Sequence, residues 1–194
     1  MLMPALLGLM LLASAKAQSN SGGVCNNVTN LVDDVPDQKL TASSSVDAYH
    51  GPERSRLYTT GNENPTRGAW SSGANNANQW LQVEFDKPKI IVAVKTQGRH
   101  SAQYDQWVTS YELAFSLDGT EWQEIANGQP FIGNTDHDTV VTHALGLDPI
   151  TAKFIRFFPK TWHNHVSMRL GVFGCDDPCD VEPDPCSGHG SCTN

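Results

Sequence analysis

Between Cys25 and Cys175 no window of the sequence sustains a helical period, and this limits the possible folds more than any other feature. Short apolar alternations recur instead. Leu81, Val83 and Phe85 alternate with Gln82 and Glu84, the pattern of a half-buried strand. Asp86-Lys87-Pro88 reads as a turn, and Ile90 to Val94 as a second, mostly β-branched strand. Val108 to Phe115 alternates through Tyr111, Leu113 and Phe115, and Asp118-Gly119 makes a hairpin turn before Trp122. Thr139 to His143 and Lys153 to Phe158 are further strands, and Met168, Leu170 and Val172 alternate into Gly174-Cys175. Many short strands with Gly, Pro and Asn turns indicate an all-β sandwich or jelly roll. Roughly 150 residues suffice for one core.

The chain opens with MLMPALLGLMLLASAKAQ, which reads as a secretory signal over residues 1–17. Its apolar run, Leu6 to Ala13, is too short to span a bilayer, and Ala15-Lys16-Ala17 gives a small-x-small cleavage pattern. No later segment has the length and apolarity of a membrane anchor. In an exported chain, cysteines imply disulfides rather than redox chemistry. The five are Cys25, Cys175, Cys179, Cys186 and Cys192. Joining Cys25 to Cys175 ties the first strand region to the last, worth about 5 kcal/mol in the chain-entropy view. Asn27-Val28-Thr29 is a glycosylation sequon; Asn64-Pro65-Thr66 is not, because proline occupies its middle position.

Charge narrows the partners. The formal net charge is −8, and removing residues 1–17 removes only Lys16, leaving −9. Five acids (Asp176, Asp177, Asp180, Glu182 and Asp184) follow Cys175 without a Lys or Arg, so the tail carries −5 and the body −4. Nucleic acid is a poor partner for such a chain, since that affinity needs clustered cations. Binding to anionic lipid would need local basic residues with inserted apolar side chains. There is no G-x-S-x-G, no H-E-x-x-H and no G-x-x-x-x-G-K-[ST], so no enzyme class is indicated.

More specific are LTASSS (40–45), SRL (55–57), AWSSGANNANQWLQVEF (69–85), TQGR (96–99), WVTSYELAFSLDG (107–119), GNTD (133–136) and FIRFFPKTWHNHVSMRLGVFGC (154–175). Together they resemble the discoidin domain, the C-type domain of coagulation factors V and VIII and of lactadherin, over residues 25–175. The tail, Cys179-x6-Cys186-x5-Cys192 within residues 176–194, resembles the first half of an EGF-like module. That likeness implies Cys179 paired with Cys192, and Cys186 without a partner in this chain. Residues 18–24 are then a short linker.

The resemblance implies an eight-stranded antiparallel jelly-roll barrel or sandwich, with a short disulfide-rich tail. It implies ligands at the cell surface: phosphatidylserine in some members, galactose-type sugars in others, proteins in others. Recognition uses loops at one end of the barrel, here Val46 to Arg54, Gly61 to Gly68 and His100 to Gln106. The candidate binding residues are Tyr49, His50, Pro52, Arg54, Asn64, Pro65, Arg67, His100, Gln103 and Tyr104, with Arg99 nearby. Tyrosine suits a membrane interface, a sugar face or a protein contact. The reading is a secreted, extracellular, lectin-like adhesion or matrix-recognition glycoprotein, non-enzymatic and without cofactor or metal. It binds a cell-surface glycan or matrix protein; the alternative is peripheral binding to anionic phospholipid by loop insertion.

Other residues read as scaffold. Trp70 and Trp80 are expected to pack the barrel, and Asn75, Asn76 and Asn78 to shape the backbone before the strand. Asp136-His137-Asp138 reads as turn chemistry. His163 and His165 read as a surface or loop pair. Arg156, between Ile155 and Phe157, could face a ligand, but the expected role is a structural ion pair, since a buried guanidinium must be paired.

Overall fold

The computed structural model describes residues 25–61, 67–146 and 149–177. The expected signal, the linker, Asn64, Pro65, Cys179, Cys186 and Cys192 lie outside the described residues. Ten strands form: β1 (Thr29–Asn30), β2 (Leu40–Ala42), β3 (Trp70–Ser71), β4 (Leu81–Gln97), β5 (Trp107–Ser116), β6 (Gln123–Glu124), β7 (Phe131–Ile132), β8 (Val141–Ala144), β9 (Ile150–His163) and β10 (Ser167–Asp176). The all-β antiparallel fold expected from the sequence is the fold observed. Counted singly, there are ten strands rather than eight among the described residues, four of them only two residues long.

The sheet order is β1-β10-β4-β9-β5-β6, with β2 and β8 also on β4, β3 on β10 and β7 on β5. β4 is the organising strand. Its first part pairs with β2 and β9, its last part with β8 and β10. The expected turn at Asp86-Lys87-Pro88 does not end the strand. The β4–β9 register shifts between Glu84 and Lys89, so the chain bends without reversing. Pro88 can sit there because the interrupted ladder needs no N–H from it.

Alternation predicts the core correctly. Trp70, Leu81, Val83, Phe85, Tyr111, Leu113, Ile155, Phe157, Met168, Leu170 and Val172 are all buried in one cluster. Asp118 makes the expected hairpin, accepting the Thr120 and Glu121 N–H groups at 2.8 and 3.0 Å while Gly119 takes φ 79°. Asp136 caps its own turn by accepting the Asp138 and Thr139 N–H groups at 2.8 and 2.6 Å. Cys25 and Cys175 are bonded, with Cα atoms 5.7 Å apart.

Two scaffold expectations change. Trp80 is only partly buried, and its ring lies 4.5 Å from the Arg156 guanidinium on the outer sheet face. Arg156 has no carboxylate partner among the described residues. Trp122 covers its other side at 4.1 Å, and its Nε donates to Gln82 Oε1 at 2.7 Å. The register explains this: Arg156 stands opposite Gln82 on one side and Ala114 on the other, and neither carries charge.

Candidate functional site

The first loop is built on Asp47. Its carboxylate accepts the Tyr49 N–H at 2.8 Å and lies 2.8 Å from His50 Nδ1. That contact occupies one ring nitrogen of His50, which is only 7% exposed, and leaves Nε2 for the space it lines. Burial alone would raise the Asp47 pKa. The hydrogen bonds from His50 and Tyr49, with the His50 charge, outweigh it and hold the carboxyl below its ordinary value.

Pro52 to Ser55 then form one 3-10 turn. Arg54 reaches back from it, donating from Nε to the Arg67 carbonyl at 2.7 Å and from a terminal nitrogen to the Thr60 carbonyl at 2.8 Å. It therefore braces the second loop against the first. The third loop meets the second where the His100 N–H bonds the Gly68 carbonyl at 3.1 Å. A Cβ on Gly68 would lie 2.0 Å from the His100 carbonyl oxygen, so only glycine permits this approach.

Within the third loop, Ser101 Oγ accepts the Gln103 and Tyr104 N–H groups at 3.1 and 3.0 Å. Arg99 sits beneath them, with its guanidinium 4.5 Å from the Tyr104 ring centroid and one nitrogen donating to Gln106 Oε1 at 2.9 Å. Gln106 Oε1 also accepts from Ser167 Oγ at 3.2 Å, and Ser167 Oγ lies 2.8 Å from Ser71 Oγ. Because Ser167 spends its proton on Gln106, Ser71 donates to Ser167 and keeps lone pairs for an incoming donor.

These segments enclose a cleft of about 320 Å³. Its lining combines Val46, His50, Arg67, Arg99, Gln103, Tyr104 and Gln106 from the loops with Ser71 and His165 from elsewhere. His165 arrives because Asn164, at φ 58°, turns the chain between β9 and β10. The two histidines thus part: His163 stacks on Trp107 at 4.2 Å, and His165 faces the cleft. Burial pushes the His165 pKa down; its bond to the Val166 carbonyl opposes this, while Arg99 and His50 push it further down.

Of the residues expected from sequence, His50, Arg67, Gln103 and Tyr104 come together in the cleft. Tyr49 stands outside the lining at 52% exposure; Tyr104 is 46% exposed. Pro52 opens the 3-10 turn, Arg54 braces the loops, and His100 joins the loop bases through its backbone. Asn27 is solvent-exposed at the opposite, disulfide-bonded end. Ser71 and His165 were not among the candidates. Ser71 had no signal beyond following Trp70, and His165 had only the turn-forming Asn164.

Comparison with known proteins agrees with this fold. The chain is 36% identical over 148 residues to dog (Canis lupus familiaris) coagulation factor VIII, covering 73% of this chain and 6% of that protein. It is 33% identical over 152 residues to rat (Rattus norvegicus) lactadherin, covering 73% of this chain and 34% of that protein. It thus spans a minor part of both relatives. Among solved structures, discoidin II of Dictyostelium discoideum superposes with a TM-score of 0.70 at 31% identity, covering 77% of this chain and 59% of that one. Residues 39–172, well over half of the chain, match the F5/8 type C domain, and the chain belongs to that family.

Proposed function

We propose that this chain is an extracellular recognition module, a binding domain rather than an enzyme, and that the loop-end cleft takes a unit of a cell-surface glycan. The observation that carries this is the cleft itself. A concave site of about 320 Å³ joins Tyr104, two arginines, two histidines, two glutamine amides and the Ser71 hydroxyl. Sugars are held by such a mixture, with directional donors and acceptors around a partly exposed aromatic. The relationship to lactadherin and the coagulation factors supports an extracellular setting.

The remaining organisation is proposed with it: residues 1–17 a secretory signal, 25–175 the domain, 176–194 part of an EGF-like module, and Asn27 a glycan acceptor. The second reading is peripheral binding to phosphatidylserine. It is favoured by the exposed Val46, Tyr49 and Tyr104 beside Arg67 and Arg99.

One paired experiment separates the readings. The chain is applied to a glycan array and, in parallel, sedimented with phosphatidylcholine vesicles with and without phosphatidylserine. Array binding lost in Tyr104→Ala, without vesicle binding, supports the glycan site. Saturable binding only to phosphatidylserine vesicles overturns it in favour of the second reading. Array binding unchanged in Tyr104→Ala removes the cleft from either role.

A further inference from the structure

A second surface lies on the outer sheet face. Arg156 points away from the core because Ile155 and Phe157 on either side are fully buried. From Arg156 to His163, at the cleft end of β9, is about 23 Å of strand, so this face and the cleft do not share side chains. Trp80 and Trp122 sandwich the guanidinium at 4.5 and 4.1 Å. Gln82 accepts from Nε and fixes the fork's rotation. The two terminal nitrogens donate to no protein group among the described residues. They form a flat, pre-oriented edge of donors, the shape that pairs with a carboxylate through two parallel bonds.

The charge is uncompensated. Alternation puts Glu84 and Glu112 on the same face, and both are engaged, with Lys39 at 3.1 Å and Lys160 at 2.7 Å respectively. Glu124, across from Ala114, carries its carboxylate toward Gly128. Burial pushes the Arg156 pKa down, and no carboxylate acts against it. Lys153, whose Nζ lies 5.9 Å from the Phe154 ring centroid, adds a second cation beside the aromatic group. An aromatic-walled arginine with no carboxylate partner among the described residues therefore sits on a chain whose net charge is −8.

We propose that the Trp80–Arg156–Trp122 face docks an acidic segment of a protein partner, one of whose carboxylates takes the two terminal nitrogens of Arg156. Tryptophan and arginine are the residues that dominate the centres of protein interfaces. The indole faces turned toward Arg156 are occupied by it, so the site offers an edge of donors rather than a platform on which a sugar ring could stack.

The test is an NMR titration of the folded chain, following the Arg156 Nε–H signal and the Trp80 and Trp122 indole N–H signals. The probes are an acetylated, amidated Glu-Leu-Glu-Leu-Glu peptide, its Gln-Leu-Gln-Leu-Gln counterpart and a sulfated disaccharide. Saturable shifts at all three signals with the Glu peptide are expected, with binding about tenfold weaker for the Gln peptide and for Arg156→Lys, the loss of one charge-assisted pair. If Arg156→Lys does not fold, Gln82→Ala replaces it, because it frees the fork's rotation and is expected to weaken binding in the same direction. Equal shifts with both peptides, no saturable shift, shifts confined to the cleft, or tighter binding of the disaccharide would each overturn the proposal.

Discussion

Asn75 holds Val166: its side-chain oxygen accepts the Val166 backbone N–H at 2.9 Å, while its amide nitrogen donates to the Asn164 carbonyl at 3.0 Å. A loop before β4 is thereby clipped to the turn between β9 and β10, which carries His165 into the cleft. Replacement by alanine leaves the N–H of a fully buried residue without its acceptor. Asn75→Ala is expected to cost about 1–3 kcal/mol, read as a lower urea midpoint with unchanged slope. It should also weaken ligand binding, since the His165 turn loses its anchor.

Arg169 ties β10 to three other segments through one side chain. Its side chain donates to the Gly98 carbonyl at 2.7 Å, the Thr59 carbonyl at 3.0 Å, the His137 carbonyl at 2.6 Å and Asp138 at 2.8 Å. Arg169→Met should destabilise the fold by about 1–3 kcal/mol, because the buried Gly98 carbonyl loses its donor. Arg169→Lys should recover little, as one ammonium cannot reach acceptors on separate segments. Chemical denaturation of both variants checks this; a Lys variant as stable as the parent would contradict it.

His165 predicts a pH dependence of known sign. Its folded-state pKa is depressed, chiefly by burial, so the unfolded chain takes up the proton first as pH falls. The contribution of the neutral ring is full above about pH 6.5, declines as pH drops toward the folded pKa, and is then constant. Urea midpoints measured across that window should fall less in His165→Gln than in the parent chain.

These three predictions rest on side chains whose roles only the folded molecule shows, whereas much of the frame was legible beforehand. Leu81, Val83 and Phe85, and Met168, Leu170 and Val172, announce their burial by alternation, because a strand's period of two is local. Asp118-Gly119 and Asp136 announce turns through equally local backbone bonds. Where one end of the chain must meet another, local pattern is silent. Ser71, Gln106 and Ser167 bond together across long sequence distances, and His165 joins them only because Asn164 reverses the chain. The Arg156 expectation failed for a related reason. A guanidinium flanked by apolar neighbours needs compensation, but the sequence does not say that two indoles and an amide will supply it.

The cleft's aromatic wall is open to a direct test. Tyr104 rests on Arg99 and is partly exposed, and Tyr49 stands on the adjoining loop. Truncating both to alanine should weaken binding on a glycan array at least about tenfold if either is an anchor. The fold should be unaffected, because neither belongs to the core cluster.

The Cys25–Cys175 bond spans a sequence separation of 150. Replacing both cysteines with serine should cost about 2–5 kcal/mol, with unfolding followed in the absence of reductant. Adding reductant should lower the stability of the parent chain but leave the double variant unchanged.

β10 has a mechanical consequence. It starts at Ser167, in the hydrogen-bonded chain beneath the cleft, and reaches Cys175 after about 26 Å of extended strand. The polypeptide enters and leaves this body side by side at the disulfide, with Cα atoms 5.7 Å apart. A pull between the flanking segments therefore loads one covalent bond and stretches nothing beyond it. A pull applied between those two segments would bypass the loops and leave the cleft at the far end unstrained.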